Sequence, residues 1–168
     1  MNIIQLKDKE MVVYGELPAI GTTAPDFILT DEDLNLVTLD DFKQKALLIN
    51  IYPSLDTVVC FDSVVKFNQE LKDQKIDVIC VSMDLPFAIK RIHQDGTLTK
   101  VRMLSDFRNR DFGHQYGVTI ANGPLAGLLA RAVIVLDANH TVVYHELVLD
   151  ISKPPAYDKA IASLLGKS

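Results

Sequence analysis

Ala46-Leu47-Leu48-Ile49-Asn50-Ile51-Tyr52-Pro53-Ser54-Leu55-Asp56-Thr57-Val58-Val59-Cys60 is the stretch from which the rest of the chain is read. The run from Ala46 to Tyr52 is short, largely apolar and without period-2 alternation, which fits a strand buried on both faces. Pro53 ends it, and a polar Ser-Leu-Asp-Thr link follows, with Asp56 or Thr57 as candidate helix cap. Beyond the link, Phe61, Val64, Val65 and Leu71 recur at helical spacing while Lys66, Glu70 and Lys72 fall elsewhere. That stripe predicts a helix of roughly four turns, ending near Asp73-Gln74. The order strand, tight link, helix sets Cys60 in the helix's first turn. A helix N-terminus carries partial positive charge and unpaired N–H groups. A thiol placed there tends to lose its proton, and the thiolate is the reactive species.

The whole chain bounds what that thiol can serve. At 168 residues it is long enough for one domain, residues 1–168, with a real core. A hydrophobic fraction of 48% and a charged fraction of 23% suit an ordinary globular protein. The net charge of −5 argues against nucleic acid as a partner, because such binders are usually basic. No apolar run approaches the ~20 residues needed to cross a bilayer, so no membrane partner is expected. The opening Met1-Asn2-Ile3-Ile4-Gln5-Leu6-Lys7-Asp8 turns polar too early for a secretory signal. Two cysteines cannot build a disulfide framework. The expectation is a reducing cytoplasm, with thiols kept for chemistry or packing. The metal patterns Cys-x-x-Cys and His-Glu-x-x-His and the Gly-rich phosphate loop are all missing, so no cofactor and no metal are expected.

Working outward, Ile3–Leu6 and Met11–Tyr14 read as an N-terminal hairpin around Lys7-Asp8-Lys9-Glu10. Gly15 to Asp26, with two prolines and two glycines, reads as loop. Asp40-Asp41-Phe42 fits a brief helical turn with an aspartate as cap. Downstream, Ile76–Met83 is a second buried strand, and Pro86 opens a helix through His93. Val101–Leu104 is a short strand. Phe107–Tyr116 reads as a helix closed by Gly117. Ala132–Leu136 and Thr141–Leu147 are strands joined through Asp137-Ala138-Asn139-His140. Ser152–Pro155 opens a last helix that Gly166 stops. Parallel βαβ units joined to an antiparallel hairpin make an α/β fold, a mixed central sheet flanked by helices. A thioredoxin-like architecture fits that order.

The spacing Pro53-x-x-x-Thr57-x-x-Cys60 resembles the active-site signature of peroxiredoxins. Asn50 through Thr57, Asp84-Leu85-Pro86-Phe87-Ala88, Tyr116-Gly117-Val118, Gly123-Pro124-Leu125, Gly127-Leu128 and Ala130-Arg131-Ala132-Val133 are similar to the bacterial thiol peroxidase branch, in family order over nearly the whole chain. The resemblance implies a homodimer with a thioredoxin fold that reduces hydrogen peroxide and organic hydroperoxides in antioxidant defence. It implies thioredoxin or another thiol as reductant. It implies Cys60 as peroxidatic nucleophile, Thr57 as its hydroxyl partner and Arg131 as the active-site cation. Read without it, Arg131 is a solvated charge at a strand start.

The residues themselves suit that chemistry. A free thiol is only a few per cent thiolate at neutral pH. A helix terminus supplies up to ~2 kcal/mol toward the anion, so a nearby cation has to help. The thiolate attacks one peroxide oxygen, the O–O bond breaks, and a sulfenic acid forms. Negative charge develops on both oxygens, so donors in line with the sulfur are needed. Thr57, one helical turn before Cys60, is placed to aim a hydroxyl there. Pro53 shields the site and removes a competing backbone donor. The bland alternative is a buried cysteine that merely packs a helix end.

Two positions depart from the pattern. Thiol peroxidases usually carry a resolving cysteine in the helix after Leu-Pro-Phe-Ala, and here that position is His93. Val58 stands where the family often has glycine. Cys80 lies mid-strand, roughly 10 Å below the strand end at ~3.3 Å per residue, too deep to reach a thiol at the rim without local unfolding. It reads as a core thiol, and the expected cycle uses one cysteine, resolved by an external thiol or a partner protein. His93 and His114 read as surface or packing residues. His140 and His145 are expected to face opposite sides of their hairpin and to share no metal. Arg102, Arg108 and Arg110 read as a solvated or interface patch. The competing readings are a peroxide sensor or non-catalytic binding module on the same scaffold, and a Cys-His hydrolase.

Overall fold

The computed structural model describes residues 1–166. The apolar run is its middle: Leu47–Ile51 forms a strand with all five residues buried. In chain order the strands are β1 (Asn2–Leu6), β2 (Lys9–Val13), β3 (Ile28–Thr30), β4 (Leu36–Thr38), β5 (Leu47–Ile51), β6 (Asp77–Ser82), β7 (Val101–Ser105), β8 (Ala132–Leu136) and β9 (Val142–Leu147). The helices are α1 (Val58–Leu71), α2 (Pro86–His93), α3 (Asp111–Gln115) and α4 (Tyr157–Leu164). Seven strands form one sheet in the order β4-β3-β7-β6-β5-β8-β9, and β1 and β2 form a separate antiparallel hairpin. β6 is parallel to β5 and to β7, and β8 is antiparallel to β5. The mixed sheet, the flanking helices and the N-terminal hairpin match the expected class.

Side chains alternate across a strand, so β5 feeds two cores. Leu47, Ile49 and Ile51 enter one with Phe27, Phe112 and Tyr116. Leu48 and Tyr52 enter the other, where Val64, Phe67 and Leu71 of α1 pack with Val78 and Cys80. Each such side chain, fully buried, contributes about 1.5–3 kcal/mol over leaving it exposed. A third, smaller core joins Ile4, Met11 and Val13 of the hairpin to Ile120, Ala130 and Ile151. Backbone bonds hold it there: the Gln5 N–H donates to the Leu149 carbonyl at 2.7 Å, and the Ala121 N–H to the Val12 carbonyl at 2.7 Å. The hairpin thereby becomes a wall beside the start of α1.

Three boundaries differ from the sequence reading. α1 stops at Leu71, its last buried residue, and the exposed Lys72 and Asp73 give a further turn nothing to cover. α3 begins at Asp111 and not at Phe107, because Arg110 adopts φ 61° and breaks the helical path. Asp106 caps the short helix from outside by accepting the N–H groups of Phe112 at 3.3 Å and Gly113 at 2.9 Å. The turn at Leu39–Phe42 is 3-10, and its cap is Thr38, whose N–H donates to the Asp41 carboxylate at 2.8 Å.

Candidate active site

Thr57 is the N-cap of α1, in extended conformation at φ −104° and ψ 148°. Its Oγ1 accepts the Cys60 N–H at 3.3 Å and donates to the Ser54 carbonyl at 3.3 Å. The hydroxyl is thus committed to the cap and the turn, and through them fixes where Cys60 stands. Val58, at the first helical position, is 77% exposed, so the larger side chain meets no obstacle. Cys60 follows at the third position and is itself buried.

Asp84, between β6 and α2, anchors the link that carries Thr57. One carboxylate oxygen accepts the Ser54 hydroxyl at 2.8 Å. The other accepts the Leu55 N–H at 2.8 Å and the Ser82 hydroxyl at 2.7 Å. Three bonds to one charged acceptor are the strong kind. They lock the 53–57 link to the end of the neighbouring parallel strand.

Arg131, one residue before β8, comes from the opposite side of β5. It is 2% exposed and the largest fully buried side chain. Its Nη2 lies 3.5 Å from the Cys60 Sγ. Nε and Nη2 both donate to the Ile151 carbonyl, at 3.2 and 2.8 Å. Nη1 is buried with no partner among the described residues. Nor does any carboxylate among them pair with this guanidinium. Burying an unpaired cation is costly, and the group that faces it most closely is the Cys60 sulfur. The sequence reading of Arg131 as a solvated strand-end charge is therefore overturned.

Pro53, Thr57, Cys60 and Arg131 line one cavity of about 250 Å³. Its other walls are mostly apolar, with Leu6 from the hairpin, Leu125 and Leu128 from the loop before β8, and Ile151, beside Ser54 and Ser152. A small molecule held there would meet a thiol at a helix N-terminus and a guanidinium with one nitrogen unpartnered among the described residues.

Cys80 lies in the interior of β6, wholly buried, and burial pushes its thiol up to about 12 despite the opposing bond from Asn50. The Asn50 Nδ2 lies 3.8 Å from its Sγ and donates to the Ser63 hydroxyl of α1 at 2.9 Å. Tyr52, also wholly buried, has no partner for its hydroxyl among the described residues. Burial, then the neighbouring Cys80, Asp84 and Cys60, holds its phenol far above the ordinary range.

His93 is half-buried, with both ring nitrogens bonded. Its Nδ1 lies 2.8 Å from a Glu32 carboxylate oxygen, and its Nε2 lies 3.0 Å from the Leu98 carbonyl. His140 bonds the Phe42 carbonyl and His145 the Pro18 carbonyl, each at 2.8 Å, so each is held by its own backbone acceptor. Among the described residues no histidine bonds Cys60, which removes the Cys-His hydrolase reading. Arg102 lies over the Phe42 ring and near Asp31, and Arg108 over the Phe107 ring. No group of three or more metal-ligating side chains occurs among the described residues.

The residues that sequence reasoning missed are Asp84, Ser54, Ser82 and the Ile151 carbonyl. Asp84 had one local signal, an acid between a buried strand and a Leu-Pro helix start. The Ile151 carbonyl had none, since backbone acceptors carry no residue type.

A family model described as Redoxin matches residues 19–161. A thiol peroxidase of Mycobacterium tuberculosis is 47% identical over 164 residues, spanning 98% of this chain and 99% of that protein. Among solved structures, a peroxiredoxin-like protein from Aquifex aeolicus superposes with TM-score 0.91 at 36% identity, over 98% of this chain and 96% of that one. A thiol peroxidase from Chromobacterium violaceum gives 0.87 at 28% identity, over 98% and 95%.

Proposed function

The chain belongs to the redoxin family and is a thiol-dependent peroxidase, and from that premise we propose that Cys60 is its peroxidatic nucleophile, with Arg131, Thr57 and Pro53 completing the site. The observation that carries this reading is the buried Arg131 guanidinium, 3.5 Å from the Cys60 sulfur and with no carboxylate counterion among the described residues. The thiolate attacks one oxygen of hydrogen peroxide or an organic hydroperoxide. The O–O bond breaks, Cys60 becomes a sulfenic acid, and hydroxide or alkoxide leaves and takes up a proton. Arg131 neutralises the thiolate and offers Nη1 to the departing oxygen. Thr57 holds Cys60 at the helix end, and Pro53 keeps water and a competing N–H away from the sulfur.

A thiol then reduces the sulfenic acid, and thioredoxin is one candidate. We further propose that residues 1–168 act as one domain and that two copies pair. Val58, Leu85 and Phe87, large apolar side chains left 77%, 52% and 68% exposed at the starts of α1 and α2, support the pairing. Both cysteines are free, which suits the reducing cytoplasm we assign to it. The relatives do not favour the sensor or non-catalytic module. Replacing Arg131 by Met tests the reading: thiolate absorbance and peroxide rate should fall together, and a variant with both unchanged removes Arg131 from the mechanism.

A further inference from the structure

A Cys60 sulfenic acid has to be reduced, and the chain holds one other thiol. That thiol is wholly buried in the interior of the sheet and unbonded to Cys60. Cys80 sits in a central strand, paired with Asn50 of β5 on one side and Met103 of β7 on the other. The Asn50 amide lies against its sulfur and reaches on to Ser63, one turn into α1 beyond Cys60. A disulfide needs Cα atoms within about 7 Å. In the folded chain both thiols are free and buried, Cys60 held in the first turn of α1 and Cys80 between β5 and β7, so a disulfide would have to join two residues fixed in ordered elements. Burial also pushes the Cys80 thiol up to about 12, which leaves it almost no attacking thiolate at neutral pH.

The helix beside the site does not supply an opening either. α2 is tied at its start through Asp84 to Ser54 and Leu55. In its middle Lys90 bonds Asp33 at 2.8 Å, and at its end His93 spans Glu32 and the Leu98 carbonyl. It carries no cysteine. What remains open to the Cys60 sulfur is the cavity of about 250 Å³, smaller than most drug-sized ligand pockets, which begin near ~300 Å³.

We propose that this peroxidase runs a one-cysteine cycle in which a low-molecular-weight monothiol enters that cavity and reduces Cys60 while α1, β6 and α2 stay in place. The inference rests on Cys60 being the peroxidatic residue. The sulfenic acid and one thiol give a mixed disulfide and water. A second thiol, as thiolate, attacks the small molecule's sulfur in the mixed disulfide. The small disulfide leaves and the Cys60 thiolate returns, so two thiols supply the two electrons that one peroxide accepts.

The test treats the full chain, Cys80→Ala and Cys80→Ser with one equivalent of hydrogen peroxide, then 2-mercaptoethanol, following intact mass without reductant and steady-state peroxide consumption. The expected result is a gain of one oxygen that dimedone traps, then a 2-mercaptoethanol adduct. Turnover of a folded Cys80 variant should stay within about two-fold of the parent. Loss of two hydrogens in the parent but not in the variants shows a Cys60–Cys80 disulfide and overturns this proposal alone. So do a disulfide-linked dimer, or a sulfenic acid that 2-mercaptoethanol leaves untouched. No reaction with peroxide at all overturns the assignment of Cys60 with it.

Discussion

Cys60 shows how far one residue's position can be read. Its place in the first turn of a helix after a buried strand was legible, because strand, proline, link and amphipathic stripe follow one another in sequence. Its electrostatic partner was not. Arg131 stands 71 positions away and owes its burial to the tertiary fold, so its local sequence reads as a solvated charge. Only the resemblance to a family singled it out. Arg131→Met should lower kcat/KM for hydrogen peroxide by about 10²–10³-fold, the range for losing one preorganised charge-stabilising donor. Thiolate absorbance near neutral pH should fall with it. Thr57 also has a structural part: its oxygen accepts the Cys60 N–H and its hydroxyl donates to the Ser54 carbonyl. Thr57→Ala should cost about 1 kcal/mol of stability through the lost cap, read as a lower urea midpoint, whereas Thr57→Ser should keep it.

At the scale of elements, the long periodic ones were legible and the short capped ones were not. β5, α1 and the hairpin announce themselves by pattern. α3 is shorter than its sequence suggests because Arg110 turns left-handed and Asp106 supplies the cap from outside the helix. That cap has a pH signature. Burial raises the Asp106 carboxyl to about 6, above its ordinary 3.8, although the two N–H bonds pull it down. The folded state therefore holds this proton more tightly than the unfolded chain. Its contribution is fully present below about pH 4 and is lost as pH rises through about 6, on the order of 3 kcal/mol. Urea midpoints of the parent should fall across that window relative to Asp106→Asn; parallel profiles would remove Asp106 from the pH dependence. The link before α1 depends in turn on the end of β6. Asp84→Asn leaves at least one donor of Ser54, Leu55 and Ser82 facing an amide, and should lower kcat/KM for peroxide about 10-fold with the fold retained. An unchanged rate would mean that the link holds its shape without Asp84.

The whole molecule brings together what its sequence keeps apart. One cavity draws a wall from residue 6, a thiol from residue 60, loop side chains from 125 and 128, a guanidinium from 131 and a carbonyl from 151. The mixed sheet and its hairpin were legible as a class, from βαβ units followed by a strand pair. The strand order was not, because β3 and β4 reach the far edge beside β7 through a pairing of one residue, Thr30 with Ser105. Assembly belongs to this scale too. Phe87→Asp should shift sedimentation from dimer to monomer, and a parent that sediments as a monomer at all concentrations would contradict the pairing proposed above. The measurement that bears most directly on the account is peroxide consumption by the parent and by Cys60→Ser under excess thiol, with dimedone labelling mapped by mass spectrometry. The account expects turnover only in the parent and the label on Cys60. Full activity in Cys60→Ser, or a label on Cys80 instead, would contradict it.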